Sequence, residues 1–103
     1  MNKNEQVEFA KSFSALGHKS RVAIFFDLLA CAKSGCLFNE IEKLSGIPAS
    51  TLSHHLIELE RGGLIERIPQ GRSTLFRPRL QYLEKVLGRM MDQCCAAERK
   101  TSS

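Results

Sequence analysis

The sequence predicts a mainly helical domain with one small β-hairpin. Two observations carry the prediction: two amphipathic helices separated by a Gly-Ile-Pro turn, and a hairpin pattern directly after the second of them. Two helices joined by three or four residues that include glycine form a helix-turn-helix, and the hairpin that follows is read as a wing. The predicted fold class is therefore a winged helix-turn-helix, with further helices at both ends of the chain.

Length and charge limit the classes of protein that the chain can represent. Its 103 residues predict one domain, 1–103, with a flexible tail over about 99–103. Lys and Arg outnumber Asp and Glu by 15 to 11, a net charge of +4 that suits a polyanionic partner. No apolar run approaches the roughly 20 residues of a membrane span, and residues 1–4 do not open a signal peptide. We expect a cytoplasmic protein with no membrane partner.

The first two helices are predicted from their apolar patterns. Asn4 to Leu16 carries a broad apolar stripe that Gly17 ends, and we expect this stripe to pack on a partner helix. Ser20 is the predicted N-cap of a nearly continuous apolar helix from Arg21 to Ala32. Lys33-Ser34-Gly35 ends this second helix, which we expect to form the core.

The helix-turn-helix begins with a short helix from Phe38 to Ser45. Gly46 closes it, and Pro48 and Ser50 open the next helix almost at once. In that next helix the apolar residues recur at helical spacing and predict one buried face: Leu52, Leu56 and Leu59.

The opening turns of this helix carry side chains suited to the DNA major groove. Short hydroxyl and imidazole side chains let the backbone approach base edges and satisfy their donors and acceptors. Five residues have this character: Ser50, Thr51, Ser53, His54 and His55. A surface helix with a polar face is the alternative, and His55, beside Leu56, is equally compatible with a partly buried core histidine.

The hairpin and the last helix complete the order of elements. Gly62-Gly63 ends the helix, Leu64 to Ile68 alternates as a strand, and Ser73 to Pro78 returns after the turn residues Pro69-Gln70-Gly71-Arg72. The last helix, from Leu80 to about Arg99, carries an apolar stripe with no core left to cover in so small a domain. We expect this stripe to pair with a second subunit.

Several motifs occur in a fixed order: GHKSRVAI at 17–24, STLSHHLIEL at 50–59, GGLI at 62–65 and the wing Gly71-Arg72. In this order and spacing they resemble the arsenic-repressor (ArsR/SmtB) family of bacterial winged-helix regulators over roughly residues 5 to 97. The resemblance implies a homodimer formed by the first and last helices. It also implies a repressor that binds a palindromic double-stranded operator and leaves it when an inducer binds.

The resemblance also assigns residues to the DNA interface. Those that read or approach the major groove are Pro48, Ser50, Thr51, Ser53, His54 and His55, and those on the wing are Arg67, Gln70 and Arg72. An arginine at the hairpin tip is suited to a phosphate or to the minor groove, and such contacts position a protein without reading sequence. For each basic residue the alternative is a solvated charge.

Two inducer sites known in the family are absent from this chain. The founding arsenic repressors carry Cys-x-Cys at the start of the helix before the recognition helix, where this chain has Leu37-Phe38-Asn39-Glu40. The family's zinc sensors use Asp and His pairs on the last helix, whereas the only histidines here are His18, His54 and His55. The cysteines are therefore the remaining candidates for an inducer site.

The adjacent pair Cys94-Cys95 resembles a second arsenic-repressor subgroup, in which vicinal cysteines on the last helix bind arsenite, commonly with a third cysteine downstream. Residues 96–103 contain no cysteine. Inorganic arsenite can take three thiolates, whereas a monomethylated arsenical needs only two. We expect a trivalent arsenical, arsenite or methylarsenite, on Cys94 and Cys95, with any third ligand from Cys31, Cys36 or the partner subunit, and no organic cofactor.

Other roles for the cysteines remain open. In a reducing compartment thiols are core residues, ligands or redox sensors rather than structural disulfides, so Cys31 can be a small buried hydrophobe and Cys94 interface packing. A thiol-redox or persulfide-responsive repressor would link Cys31 or Cys36 to Cys94 or Cys95. An enzyme is not expected, because the chain has no Ser-His-Asp set, phosphate loop or paired carboxylates.

Overall fold

A computed structural model describes residues 1–101 of the chain, and side chains as far as Arg99. In this part there are five α-helices and three strands: α1 (Lys3–Leu16), α2 (Lys19–Leu28), β1 (Cys36–Leu37), α3 (Phe38–Ser45), α4 (Ala49–Arg61), β2 (Ile65–Gln70), β3 (Ser73–Pro78) and α5 (Leu80–Thr101). A 3₁₀ turn, Leu29–Cys31, follows α2. The predicted mainly helical fold with a hairpin after the fourth helix is confirmed.

The start of α2 differs from the prediction. His18, not Ser20, is the N-cap: the backbone N–H of Ser20 donates to Nδ1 of His18 at 3.2 Å. The α-helix also ends at Leu28, four residues before the predicted end at Ala32. The reason is tertiary, because the chain must turn within a few residues to deliver Cys36 to the sheet.

The sheet is antiparallel, with strand order β1-β3-β2. β2 pairs with β3 from Ile65 opposite Pro78 to Gln70 opposite Ser73, so the turn is only Gly71-Arg72 rather than the predicted four residues. Proline is tolerated at position 69 because β2 is an edge strand. The two-residue strand β1, which the sequence did not predict, pairs with the other edge of β3.

The core forms where α4 meets α1, α2 and β2. The predicted buried face of α4 is confirmed: Leu52, Leu56 and Leu59 are at most 1% exposed. Other fully buried apolar side chains come from α2, α3 and the start of β2: Ile24, Leu28, Ile41, Leu64 and Ile65. These contacts fix α4 within the domain and leave its opposite face to solvent.

The terminal helices keep apolar side chains on the surface. On α5 these are Leu80, Leu87, Met90 and Met91, and on α1 they are Val7 and Phe13, with Met91 60% exposed. The guanidinium of Arg89 on α5 donates to both carboxylate oxygens of Glu5 on α1, at 2.8 and 3.0 Å. This hydrogen bond, helped by the Asn2 backbone, lowers the pKa of the Glu5 carboxyl.

The last helix runs slightly past its predicted end at about Arg99, and the flexibility expected for residues 99–103 stays a prediction. Helix α5 continues to Thr101, because residues 96–99 (Ala-Ala-Glu-Arg) are strong helix formers. The remainder of the predicted tail, residues 102 and 103, lies outside the described residues. Among the helices that are described, none has the length and apolarity needed to cross a membrane.

Replacing Gly62 by alanine tests the contact between α1 and α4. A Cβ at Gly62 would lie 2.5 Å from Cβ of Ala15 and 3.0 Å from the carbonyl oxygen of Lys11, so one helix must shift. We expect Gly62→Ala to lower the free energy of unfolding by about 1–3 kcal/mol, the usual range for overpacking. Urea denaturation measures it.

The matched control is Gly88→Ala on α5, where nothing lies within 4 Å of the added Cβ. Alanine in a helix interior is more favourable than glycine by roughly 0.5–1 kcal/mol, so this variant should be as stable as the parent or slightly more stable. Equal stability of Gly62→Ala and the parent would contradict the close α1–α4 contact.

Candidate nucleic-acid interface and cysteine sites

A three-residue turn positions α4. Gly46 ends α3 in the left-handed conformation, with φ of 70° and its N–H donating to the carbonyl of Glu42 at 3.0 Å. The N–H of Ile47 then donates to Oγ of Ser45 at 3.2 Å. Pro48 is the extended N-cap of α4, and its carbonyl accepts from the N–H of Leu52 at 2.9 Å. The local turn chemistry therefore starts α4 where the sequence predicts.

The first two turns of α4 present a polar surface. We call it the recognition face, and its members are all exposed: Pro48, Ser50, Thr51, Ser53 and His54. The spacing of three and four residues from Ser50 to Ser53 and His54 places these side chains on the same side of the helix. Apart from Pro48, the face consists of small hydroxyl side chains and one imidazole. The opposite side of the helix packs in the core.

His55 does not belong to this face. Its side chain is 5% exposed, because it lies three residues after Leu52 and four before Leu59 and so falls on the buried stripe. Its ring lies 4.8 Å from the ring of His18, and Nδ1 is buried with no hydrogen-bond partner. The prediction that His55 contacts DNA is therefore corrected, and the core-histidine alternative describes it.

The buried environment also changes the protonation of His55. Desolvation lowers the pKa of its imidazole below the ordinary value, and electrostatic interactions with His18, Arg21 and His54 act in the same direction. The neutral form is therefore the one that this core accommodates.

The wing places its predicted residues in two different environments. Gln70 and Arg72 are exposed at the hairpin tip, where Gly71 adopts a φ of 62°. Arg67 instead lies nearer the base of the wing, where Nε donates to both carboxylate oxygens of Glu60 at 2.9 and 3.0 Å. Its guanidinium also stacks over the ring of Phe76, 5.2 Å from the centroid. Arg67 thus holds the wing against α4.

The fold adds polar residues to the wing side of this surface that sequence reasoning missed. Asn39, in the first turn of α3, lines the same shallow groove as Arg72, Ser73 and Thr74. No local pattern indicates them, because α3 and the wing come together only in the tertiary structure, through the pairing of β1 with β3 and the contact between the rings of Phe38 and Phe76.

The four cysteines form two separate pairs. Cys94 and Cys95 are free and exposed near the end of α5, where Cys94 borders a shallow groove with Met1, Phe9 and Met90. Among the described residues no group of three or more His, Cys, Asp or Glu side chains is arranged to hold a metal ion.

Cys31 and Cys36 are joined by a disulfide, with their Cα atoms 5.7 Å apart. This corrects the expectation that the cysteines form no structural disulfide, and it leaves neither Cys31 nor Cys36 free, in this state, for the alternative link to Cys94 or Cys95. Ala32 borders the same groove as Leu80, at the start of α5, and Cys94 lies about 21 Å further along that helix. Within one subunit, Cys31 therefore meets Cys36 rather than a cysteine of α5.

No protein-family model and no curated protein sequence matches the chain. Solved structures do match. An ArsR-like transcriptional regulator from Rhodococcus sp. RHA1 has a TM-score of 0.84 at 21% identity, covering 94% of this chain and 89% of that one. The chain has the winged helix-turn-helix fold.

Two further structures share this fold. The homodimeric winged helix-turn-helix DNA-binding domain of Mb0332 from Mycobacterium bovis has a TM-score of 0.68 at 21% identity, covering 100% of this chain and 94% of that one. A mutant of MepR from S. aureus, bound to an oligodeoxyribonucleotide, has a TM-score of 0.61 at 17% identity, covering 94% and 75%. At these identities the likeness establishes the fold.

The lowered pKa of His55 predicts an acid-sensitive fold. In the unfolded chain the imidazole takes up a proton near pH 6.5, whereas the folded protein resists protonation until the pH reaches its lower pKa. The contribution of neutral His55 to the free energy of unfolding is therefore fully present above about pH 6.5. It is lost as the pH falls toward the pKa of the folded state. We expect urea denaturation at pH 7.5 and 5.5 to show this loss, and His55→Leu to reduce it.

The comparison variant is His54→Ala, which removes an exposed imidazole from the same helix. It should retain most of the acid sensitivity of the parent. If His55→Leu and the parent lost stability equally on acidification, the buried neutral His55 would not be its source.

Proposed function

We propose that the protein is a transcriptional repressor that binds operator DNA as a homodimer and is released when a trivalent arsenical binds Cys94 and Cys95. The DNA-binding part of this proposal rests on one observation. Helix α4 has a buried apolar stripe on one side and the exposed recognition face on the other. A helix so divided can enter a major groove without exposing apolar surface to the phosphates. It is a binding protein rather than an enzyme.

The recognition face supplies the chemistry of base reading. Hydroxyls donate and accept, so Ser50, Thr51 and Ser53 can meet either kind of group on a base edge, and His54 adds a ring nitrogen. Arg72 at the wing tip supplies a positive charge for the sugar-phosphate backbone. The net charge of +4 and the oligonucleotide bound by the MepR mutant support the same assignment.

The exposed apolar side chains of α1 and α5 support a homodimer through these helices. Monomeric proteins rarely leave several large apolar residues together on one surface, and Val7, Phe13, Leu87 and Met91 are each more than 40% exposed. The Mycobacterium bovis domain of this fold is homodimeric. A two-fold dimer would present two copies of the recognition face to half-sites about one DNA turn apart.

The exposure of Cys94 and Cys95 and their adjacent positions on α5 support the proposal that they bind an arsenical. Both thiols are free and exposed, and they are adjacent on the helix, so both sulfurs can turn toward one soft ion. The disulfide occupies both Cys31 and Cys36, so neither offers a third thiolate in this state. A monomethylated arsenical, which needs two thiolates, therefore suits one subunit better than inorganic arsenite.

The binding reaction balances without an oxidant. Methylarsonous acid carries two hydroxyl groups on trivalent arsenic, and each is replaced by a cysteine sulfur as its thiol proton leaves with the hydroxyl as water. Two As–S bonds form, two As–O bonds break and two water molecules are released. The arsenic stays trivalent, and the adduct bridges residues 94 and 95 of α5.

The position of the pair explains how binding would reach the DNA. Cys94 borders α1, and the ion pair between Arg89 and Glu5 joins the same two helices about one and a half turns away. A bulky adduct on α5 would therefore act on the junction that also carries the proposed dimer surface. A change in the angle between subunits would alter the spacing of the recognition faces and weaken the operator complex.

The arsenical is tested by fluorescence anisotropy with labelled DNA from the promoter of the protein's own gene. We expect methylarsenite to raise the operator Kd of the parent at least about tenfold, which corresponds to a coupling near 1.4 kcal/mol. Cys94→Ser and Cys95→Ser should each bind DNA like the parent and lose the response. Gln93→Ala, a neighbour on the same turn that keeps both thiols, should respond fully.

Arsenite is titrated alongside methylarsenite and should act more weakly. If an arsenical still releases the Cys94→Ser/Cys95→Ser protein from DNA, the arsenical binds elsewhere. If no arsenical alters DNA binding by the parent, the proposed inducer is refuted while the proposed DNA binding is not.

Replacing Arg72 by alanine tests the wing contact. Loss of one phosphate contact in each of the two subunits should weaken binding for operator and unrelated DNA alike, and reduce the slope of log Kd against log salt by about 1.8, or about 0.9 per subunit. Anisotropy at several salt concentrations measures both quantities. Arg61→Ala is the matched control, because Arg61 is equally cationic but lies at the far end of α4 in an ion pair with Glu58. An unchanged slope for Arg72→Ala would remove it from the DNA interface.

A further inference from the structure

The disulfide between Cys31 and Cys36 closes the turn that leads from α2 into the helix-turn-helix. Cys31 is the last residue of the 3₁₀ turn, and Cys36 is the first residue of β1. Between them the N–H of Gly35 donates to the carbonyl of Cys31 at 2.7 Å, and Gly35 has a φ of 89°. A Cβ at Gly35 would lie 3.0 Å from Cβ of Leu75, so this turn packs directly on β3.

The disulfide is directly connected to the wing strand β3 and to the start of α3, the helix that precedes α4. Cys36 pairs with Phe76, and Leu37 with Leu75, so β1 attaches to the wing strand β3. Leu37 is also the N-cap of α3, and its N–H donates to Oε1 of Glu40 at 2.8 Å. β1 has only two residues, and so short a strand contributes few ladder hydrogen bonds. A covalent bond at its first residue is therefore a large part of its restraint.

We propose that Cys31 and Cys36 form a reversible dithiol–disulfide site, a redox latch that holds β1 in place and thereby fixes α3 relative to the wing. The oxidised latch favours the arrangement in which recognition face and wing tip are positioned together, and reduction loosens it. Its effect on DNA affinity rests on the proposed function, whereas its effect on β1 does not. The latch is separate from Cys94 and Cys95 in position and in chemistry.

The two sulfurs differ in access, and this sets the order of reaction. Cys36 is 3% exposed, whereas Cys31 is partly exposed. An external thiolate therefore attacks Sγ of Cys31, forming a mixed disulfide there and releasing Cys36 as a thiolate, which takes up a proton. A second external thiolate attacks the external sulfur of that mixed disulfide and releases Cys31. The balance is two external thiols and one protein disulfide, giving one external disulfide and two cysteine thiols.

Oxidation is the reverse exchange, with a low-molecular-weight disulfide such as oxidised glutathione as the oxidant. It accepts the two electrons that the cysteines give up, and the two thiol protons end on the released glutathione thiols. No metal and no oxygen atom is transferred to the protein.

The test uses the full chain with Cys94→Ser and Cys95→Ser, so that the latch cysteines are the only thiols left. The protein is treated with excess oxidised glutathione or with dithiothreitol and then alkylated, and mass spectrometry counts the blocked thiols. Hydrogen exchange reports on residues 36–37 and 75–76, and anisotropy reports on operator DNA. Cys31→Ala is the variant that cannot form the latch, and Ser34→Ala, an exposed change within the same turn, is the matched control.

We expect oxidised protein to have no alkylatable thiol and reduced protein to have two, interconverting without loss of fold. Reduction should speed amide exchange at 36–37 and 75–76 at least about tenfold and weaken operator binding severalfold. Cys31→Ala, which keeps one thiol, should match the reduced protein in amide exchange and operator affinity under both treatments, and Ser34→Ala should follow the parent. If Cys31→Ala does not fold, the oxidised and reduced forms of the Cys94→Ser/Cys95→Ser protein still decide the question.

Three results would overturn the latch: a mixed glutathione adduct without the Cys31–Cys36 bond, a bond that forms without slowing exchange in β1 and β3, or equal operator affinity in the two states. Absence of DNA binding in both states would instead refute the repressor, and the exchange measurement would still judge the latch by itself.

Discussion

Leu52, Leu56 and Leu59 are enclosed between α1, α2 and β2, and this contact determines the direction in which every other residue of α4 faces. Burying a leucine side chain is worth about 1.5–3 kcal/mol, so rotating the helix to expose this stripe would cost most of the stability of a small domain. Ser50, Ser53 and the rest of the recognition face are outward for that reason. The same constraint draws His55 into the core as a neutral ring.

The other elements are tied to α4 by contacts that hold the wing and α1 at fixed positions. Oγ of Ser12 on α1 donates to the carbonyl of Gly62 at 2.8 Å where α4 ends, and the missing Cβ of Gly62 allows this approach. Glu60 holds Arg67 at the base of the wing. The proposed DNA contacts from α4 and the wing would need a constant separation between these elements, and these contacts supply it.

The cysteines divide between two regions that differ in exposure and in mechanical role. Cys94 and Cys95 project from a helix whose apolar side chains are on the surface, where the proposed arsenical would alter the proposed contacts between subunits. Cys31 and Cys36 lie where α2, β1 and β3 meet, with Cys36 in the core, so a change there acts within one subunit. We therefore propose ligand coordination for the first pair and thiol–disulfide exchange for the second.

Local properties of the sequence, its periodicity and turn chemistry, predicted much of the fold. They predicted the order of helices, the hairpin, the buried stripe of α4 and the exposure of its first turns. Every member of the recognition face was predicted. His55 was predicted with them, because it fits both the polar pattern and the buried pattern, and only packing places it in the core. Four features could not be predicted: the early end of α2, strand β1, the Arg67–Glu60 pair and the meeting of Cys31 with Cys36. Each depends on where segments without a shared period come together, and that is decided only when the core closes around α4 and the sheet assembles.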